Sequence, residues 1–216
     1  LDQNVGKVLT ALDTLDLTED TLVVFLSDNG GHEASRNLPL RGKKATYWEG
    51  GLRVPFCLKW PARLKSGETY RKPVISLDLL PTFARAAGGE IEPHWKLDGV
   101  DLMPYLTGGK KGFPHTELDW TWGARKALRD GNLKALSQDD GKTWQLYDLA
   151  KDKSETNDLS SKRGKKLDSI KERFLRWEKS LMPQQWGWNP KLGYKDPEFG
   201  KPRPYHQPGY FEENKP

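Results

Sequence analysis

A short apolar run, Leu22 to Leu26, limits the architecture of this chain more than any other segment. It contains two valines and a phenylalanine and no polar residue, which is typical of a strand buried on both faces. Just upstream, apolar residues recur at steps of three and four from Val5 to Leu15, the pattern of an amphipathic helix. A helix followed by a buried strand predicts half of a parallel α/β unit.

Polar residues follow this predicted strand directly, in the order Ser27-Asp28-Asn29-Gly30-Gly31. Open α/β sheets bind ligands beyond the carboxyl ends of their strands, where Asp28 and Asn29 fall. Carboxylate and amide oxygens suit Ca²⁺ or Mg²⁺ better than zinc or copper, although two oxygens fill only part of a calcium shell of about six to eight ligands. Taken alone, the same residues also fit a tight turn whose glycines accept positive φ.

A lysine lies among glycines in the second informative segment, residues 40–55. Lys44 is two residues after Gly42 and six before Gly50, so the backbone can bend sharply there and the ammonium can reach an anion as a compact charge. A solvated surface lysine is the ordinary alternative. Glu49 is a further carboxylate in this segment, but we expect it to form an ion pair with Arg53 or Arg41 or to cap a backbone amide, so we leave it out of the site.

The two segments together resemble the formylglycine-dependent sulfatases, arylsulfatase type, of the alkaline phosphatase superfamily. That family carries Ser-Asp-Asn-Gly after a buried strand, then Leu-Arg-Gly-x-Lys-x-x-x-x-Glu-Gly-Gly-x-Arg-Val-Pro, and this sequence matches every fixed position. The likeness continues through Leu97-Asp98-Gly99-Val100-Asp101-Leu102 and covers residues 1–181. The resemblance implies that Asp28 and Asn29 are two Ca²⁺ ligands, with Mg²⁺ the weaker candidate, and that Lys44 binds the sulfate.

The family's nucleophile has no counterpart in this sequence. It is a formylglycine made from the first residue of Cys/Ser-x-Pro/Ala-x-Arg, whereas the single cysteine here, Cys57, lies in Pro-Phe-Cys-Leu-Lys. That context predicts a strand with Cys57 as a small core residue. The resemblance therefore implies that the formylglycine belongs to a missing N-terminal part, and that this chain supplies half of the active site and is inactive by itself.

The fold class that follows is α/β, part of an alkaline-phosphatase-like sandwich with a mostly parallel sheet. We predict three regions: residues 1–123 as the C-terminal part of the catalytic domain, residues 124–182 as a small α+β subdomain, and residues 183–216 as an extended tail. Within the first region, Val54 to Trp60 predicts a second buried strand ended by Pro61. A helix capped by Asp78 is expected to follow, and it is expected to bury Leu79, Leu80, Phe83 and Ala87.

Short strands separated by turn signals characterise the small subdomain. Ala124 to Arg129 and Asn132 to Ser137 flank Asp130-Gly131, which predicts a hairpin, and Thr143 to Leu149 predicts a third strand. Downstream, five apolar residues recur at helical spacing, which predicts one long helix laid across this antiparallel sheet. They are Leu167, Ile170, Phe174, Trp177 and Leu181.

Two groups of residues leave alternatives open. His32 and Arg36 follow the predicted metal loop, where either could touch a substrate hydroxyl, carboxylate or sulfate, although an exposed loop histidine is an equal reading of His32. The tail from residue 183 holds seven of the 15 prolines and seven aromatic residues, which excludes regular helix. Those aromatics either stack on sugar rings or anchor the tail to the body, and the second interpretation is favoured.

These patterns predict the C-terminal half of a sulfatase that acts on sulfated carbohydrate, with the N-terminal half as its partner, covalently joined or as a separate chain. Phosphodiester or phosphonate hydrolysis, or a non-catalytic module that binds glycan or another protein, is the alternative. A formal charge of +5 gives only modest attraction to polyanions, and no nucleic-acid motif or apolar membrane span is present. The resemblance also implies a periplasmic or extracellular location.

Overall fold

The computed structural model of the chain describes residues 1–32 and 34–182. The helices are α1 Asp2–Thr14, α2 Glu49–Leu52, α3 Leu79–Ala86, α4 Met103–Leu106 and α5 Gly164–Ser180. The strands are β1 Val23–Leu26, β2 Phe56–Lys59, β3 Glu117–Trp122, β4 Arg125–Asp130, β5 Leu133–Ser137 and β6 Gln145–Asp148. None of the helices in the described ranges is long and apolar enough to cross a bilayer. The tail predicted for residues 183–216 lies outside the described residues.

Backbone contacts group these elements into two compact units. Residues 1–26 and 55–116 form the first, and residues 27–54 join the described residues from 117 onward in the second. Our predicted division of the chain into three regions concerns domains that fold independently. Backbone contacts do not test independent folding, so this division stays a prediction. The grouping does place the predicted metal loop and Lys44 in the same unit.

The first unit contains α1 and a two-stranded ribbon. The predicted helix near the start of the chain is confirmed as α1. The parallel arrangement predicted for the first strand is wrong for its pairing here, because β1 pairs antiparallel with β2, with Val23 opposite Lys59. No residue of β1 is fully buried, and Cys57 in β2 is exposed rather than in a core. Among the described elements only β2 makes extensive contact with β1, so both strands keep an open face.

Asp78 organises the region before and after α3. It ends a 3-10 turn, Ser76–Asp78, and its carboxylate accepts hydrogen bonds from the amides of Ile75 and Val100, both at 2.9 Å. Asp78 therefore caps this turn instead of α3, which lacks a side-chain cap. His115 Nε2 lies 2.7 Å from the same carboxylate, so one buried side chain fastens three segments together.

The apolar face predicted for α3 is not buried as expected. Leu80 and Phe83 are 57% and 42% exposed, Ala87 is exposed and Leu79 is half-buried, whereas Pro81 and Thr82 are buried. The Thr82 hydroxyl accepts a hydrogen bond from the Leu102 amide at 2.9 Å, which turns this polar edge of α3 toward the following loop. Helical periodicity identified a helix correctly here, but it did not identify the face that this unit covers.

The second unit is built on a four-stranded antiparallel sheet in the order β3-β4-β5-β6. The predicted hairpin is confirmed as β4 and β5, with Gly131 at φ +58° in the turn, and the predicted third strand is β6. The edge strand β3 was not among the strands predicted from the sequence. Its Glu-Leu-Asp-Trp-Thr-Trp sequence alternates strictly between polar and apolar residues, a strand signal that we missed behind the prolines and glycines that precede it.

The long helix α5 covers one face of this sheet, as predicted. Its Leu167, Ile170 and Phe174 are buried against apolar residues of three strands, and the predicted antiparallel sheet plus helix is therefore confirmed. Those sheet residues are Leu128, Ala135 and Leu146. The opposite face carries a second cluster, in which Trp48 packs with Ala127, Leu136, Tyr147 and Leu149. The glycine-rich segment that holds Lys44 is thus attached to the sheet through Trp48.

Asp119 in β3 gives the second unit an expected pH dependence. Its buried Oδ1 lacks a hydrogen-bond partner among the described residues, and burial, with repulsion from Glu117, raises the pKa of Asp119 to about 7, against an opposing effect of Arg173. The folded state therefore holds a proton that the unfolded chain releases near pH 4. Stability should fall as pH rises from about 4 through 7.

Asp119→Asn is expected to remove this decline. Because the side chain of Asp119 is only partly buried, the expected gain in free energy of unfolding at pH 8 is about 1–2 kcal/mol. Denaturant unfolding at pH 5 and pH 8 measures it, with the exposed α5 residue Asp168→Asn as control. An equal response of both variants to pH would contradict the assignment.

Candidate functional site

The strand-end loop, residues 27–31, is closed by short-range hydrogen bonds and by the neighbouring lysine loop, residues 41–53. The Ser27 hydroxyl donates to the Asn29 carbonyl at 2.8 Å, which bends the chain directly after β1. The Gly30 amide donates to the Gly51 carbonyl at 2.9 Å. A Cβ at Gly30 would lie 1.7 Å from the Gly50 carbonyl oxygen, so the two loops meet backbone to backbone.

Lys44 occupies the tip of a tight turn in the lysine loop. The Thr46 amide donates to the Lys43 carbonyl at 3.0 Å, and the Thr46 hydroxyl donates to the same oxygen at 2.7 Å. Ala45 has φ +67°, a left-handed conformation that this turn requires and that a non-glycine residue adopts at a cost. The Lys44 amide donates to the Gly31 carbonyl at 3.0 Å. The backbone of Lys44 therefore lies beside the strand-end loop, with its side chain exposed.

Asn37 fixes the two loops to each other. Its Oδ1 accepts a hydrogen bond from the Gly31 amide at 3.0 Å, and its Nδ2 donates to the carbonyls of Gly31 and Gly42, both at 3.1 Å. The side-chain amide of Asn37 thus forms hydrogen bonds with the backbones of both loops, as a peptide group would. We did not identify Asn37 from the sequence. A single asparagine between His32 and Arg41 carries no periodic or motif signal.

The paired glycines of the lysine loop are required by close approach. A Cβ at Gly50 would lie 2.4 Å from the Gly42 carbonyl oxygen, and one at Gly51 would lie 2.2 Å from the Thr46 carbonyl oxygen. Both distances are far below van der Waals contact. Most of the glycine-rich motif therefore shapes the loop, and Lys44 is an exposed cationic side chain at its tip.

Gly30→Ala is expected to separate the two loops. The added methyl group cannot coexist with the Gly50 carbonyl, so the Gly30–Gly51 hydrogen bond must break, at an expected cost of about 1–3 kcal/mol in the free energy of unfolding. Amide exchange at Gly31 and Lys44 should accelerate as well. Gly164→Ala, at the open start of α5, is the control, because no atom lies within 4 Å of its added Cβ. Equal stability of the two variants would contradict this packing.

Arg41, Trp48 and Tyr147 form a packed layer between the lysine loop and the sheet. The guanidinium of Arg41 lies 3.7 Å from the centre of the Trp48 ring, and Trp48 meets Tyr147 of β6 edge to face at 5.5 Å. Burial raises the pKa of Tyr147 to about 12, opposed by the nearby Arg41. Tyr147 therefore remains a neutral phenol at physiological pH, and the layer holds one end of the loop.

Glu49 takes part in a buried charge cluster. The predicted ion pair with Arg53 is present, at 3.8 Å. Lys134 of β5 lies closer, with its Nζ 2.9 Å from Glu49 Oε1 and 2.9 Å from Glu155 Oε1. The sequence analysis did not identify Lys134 or Glu155 as partners, because they lie 85 and 106 residues from Glu49 along the chain. Omitting Glu49 from the metal site agrees with these contacts.

The structure brings the predicted site residues together at the level of the backbone. Asp28 and Lys44 are exposed and Asn29 is half-buried, and within the described ranges none of their side chains is engaged in a hydrogen bond or ion pair. His32 and Arg36 lie in the exposed segment between the two loops. The roles of all five residues stay predictions.

The donor set at the strand-end loop fits an incomplete site for a hard cation. Asp28 and Asn29 offer adjacent oxygens with one negative charge between them. The described residues contain no cluster of three or more histidine, cysteine, aspartate or glutamate side chains that could hold a metal. Any calcium bound at Asp28 and Asn29 would need further oxygen ligands besides these two side chains.

Comparison with known proteins places these two loops in a family. The family model described as "Sulfatase" matches residues 1–89, which include the strand-end loop and the lysine loop. Residues 1–89 are therefore similar to the sulfatase family. Steryl-sulfatase from Mus musculus is 41% identical to this chain over 128 residues, which are 55% of this chain and 20% of that protein. The chain thus spans only about a fifth of the length of this curated relative.

Solved structures share the fold of this chain over most of its length. The crystal structure of Ps i-CgsB in complex with k-i-k-neocarrahexaose matches 89% of this chain and 44% of its own, with 32% identity and a TM-score of 0.78. The phosphonate monoester hydrolase of Agrobacterium radiobacter matches 81% of this chain and 38% of its own, with 24% identity and a TM-score of 0.61. The second likeness shows the fold alone. The predicted α/β class with an alkaline-phosphatase-like fold is confirmed.

Proposed function

We propose that this chain supplies half of the active site of a sulfuric ester hydrolase that acts on a sulfated carbohydrate. The observation that carries the proposal is the junction of the two sulfatase loops, where the Lys44 amide bonds to the Gly31 carbonyl, two residues after Asn29. This junction supports a shared role for Asp28, Asn29 and Lys44. A scaffold alone would not require an exposed lysine, without an ion pair among the described residues, at the tip of so tight a turn.

In this proposal each residue has one task. Asp28 and Asn29 hold Ca²⁺, or less favourably Mg²⁺, which would supply positive charge to the oxygens of the ester. The Lys44 ammonium binds a sulfate oxygen and stabilises the charge that shifts to the leaving alcohol. His32 and Arg36, exposed beside the loops, contact the rest of the substrate. A formylglycine from an N-terminal part, covalently continuous or on a separate chain, would supply the nucleophile.

The substrate class rests on the similar proteins. Ps i-CgsB, which resembles this chain over 89% of its length, was crystallised with k-i-k-neocarrahexaose, a carbohydrate by its name. Steryl-sulfatase, whose name indicates a sterol ester, covers only 55% of the chain. The wider match favours a carbohydrate. A periplasmic or extracellular location is part of the same proposal, since sulfated polysaccharides occur outside the cell.

A direct assay tests the proposed function. The 216-residue chain, alone and together with an N-terminal sulfatase part, is offered an aryl sulfate and an aryl phosphonate side by side. We expect turnover only in the complete assembly, a preference for sulfate, and loss of activity on removal of Ca²⁺ with a chelator. Preference for the phosphonate would instead favour a phosphonate hydrolase. If neither ester is turned over, a non-catalytic binding module is favoured.

A further inference from the structure

A fully buried lysine lies beneath the lysine loop, on the inner strand β5. Lys134 has no exposed surface, and its Nζ contacts one carboxylate oxygen of Glu49 and one of Glu155, each at 2.9 Å. The other oxygen of Glu155 accepts a hydrogen bond from the Glu49 amide at 2.6 Å. The loop that carries Lys44 is therefore joined to the sheet by charge as well as by Trp48.

Both ends of the turn that presents Lys44 are fastened to Glu155. At one end, Arg41 Nη1 donates to the backbone carbonyl of Glu155 at 3.1 Å. At the other end, the Glu49 amide donates to the Glu155 carboxylate. Between them, the Gly50 amide donates to the Arg41 carbonyl at 2.7 Å and closes the loop. Lys44 lies inside this closed segment, so a displacement of Glu155 would be passed to it.

The energetics favour a role in position rather than in stability. A buried ion pair is often no more stabilising than well-packed apolar residues of the same size, because both charges lose their hydration. It does demand one arrangement, since a displaced carboxylate or ammonium would be left unpaired in the interior. Burial raises the pKa of Glu155, while the charge of Lys134 and the hydrogen bond from the Glu49 amide oppose the rise. With an apolar residue at position 134, the lysine loop could pack on the sheet in several positions. The charged cluster of Lys134, Glu49 and Glu155 allows only the position in which its charges are paired.

We propose that Lys134 and Glu155 are positioning residues that hold the lysine loop against the sheet and so set the place of Lys44 beside the strand-end loop. The inference rests on the proposed role of Lys44 in binding the sulfate. It assigns a function to two residues that lie in the small subdomain, outside the segment matched by the family model.

Amide hydrogen exchange in the 216-residue chain tests the proposal without any turnover. The Lys44 amide reports directly on the junction, because it donates to the Gly31 carbonyl. In Lys134→Met and in Glu155→Gln, we expect the Lys44 amide to exchange about tenfold faster or more, with the amides of α5 within about twofold of the parent chain. Glu155→Gln keeps the shape of the side chain and an acceptor for the Glu49 amide, so it remains informative if Lys134→Met does not fold.

Lys126→Met is the matched control. Lys126 is also a buried lysine of the same sheet, but it pairs with Asp140 and Glu178 on the side covered by α5. Its loss should leave exchange at Lys44 unchanged. The proposal is overturned if Lys44 exchanges at the parent rate in both test variants, or if α5 loses protection in both to the same degree as Lys44. Because exchange is read without a substrate, a failed sulfatase assay would count against the proposed function and not against this result.

Discussion

Lys44→Ala is expected to lower kcat/KM for a sulfate ester by about 10²- to 10³-fold in the assembled enzyme, the usual loss when one stabilising group of a transition state is removed. The ammonium would meet an oxygen whose negative charge grows as the ester bond breaks, so kcat should fall as well as affinity. Steady-state kinetics with an aryl sulfate measures both constants. Lys44→Arg keeps the charge but enlarges the group, and an intermediate activity is expected.

The exposure of Lys44 makes this prediction separable from folding. Its side chain is exposed and forms no ion pair within the described part of the chain, so Lys44→Ala should unfold at the same denaturant concentration as the parent. Lys151→Ala, which removes another exposed lysine from a turn of the same unit, is the control and should keep full activity. Full activity of Lys44→Ala would reject the assignment of the lysine, and a lower unfolding midpoint would show that Lys44 has a structural role.

Asp78→Ala is expected to destabilise the first unit by about 3–5 kcal/mol, because removing one partner of a buried charged group leaves the others unsatisfied. Two amides, from Ile75 and Val100, and the ring of His115 would lose their common acceptor. The amides of α3 should then exchange much faster, and those of α5 in the second unit should serve as an internal reference. Denaturant unfolding measures the change in free energy.

Asp101→Ala provides the comparison for Asp78. Asp101 is only half-buried and accepts one hydrogen bond, from the Met103 amide at 2.9 Å. Its loss is expected to cost about 0.5–1.5 kcal/mol, the usual range for one hydrogen bond. If Asp78→Ala and Asp101→Ala lose the same free energy of unfolding, the three contacts of Asp78 do not stabilise the first unit more than the single contact of Asp101.

Local patterns identified most of the elements and the two loops of the candidate site. The repeat of apolar residues found α1 and α5, and Asp130-Gly131 located the hairpin, because these signals depend on neighbours in the chain. Lys44 and Asp28 were selected for the same reason, since each lies within a dense local motif. The sequence contains no comparable signal for Asn37 or Lys134, whose importance comes from contacts with distant segments.

The errors concern burial. We expected Cys57, Leu80 and Phe83 to be core residues, and all three are exposed. Periodicity and residue type indicate which surfaces are apolar, but which of them is covered depends on the elements that pack nearby. The antiparallel pairing of β1 with β2 has the same origin, since a buried-strand pattern gives no direction to its neighbour.

The backbone seam between Gly30 and Gly50 has a consequence for attempts to build chimeric enzymes. Neither side of the seam tolerates a Cβ, and Asn37 is shaped to span both sides. A transplant of residues 41–53 into a foreign scaffold would therefore fail unless residues 27–37 travel with them. Recombination breakpoints inside the continuous stretch from Ser27 to Arg53 should therefore be selected against.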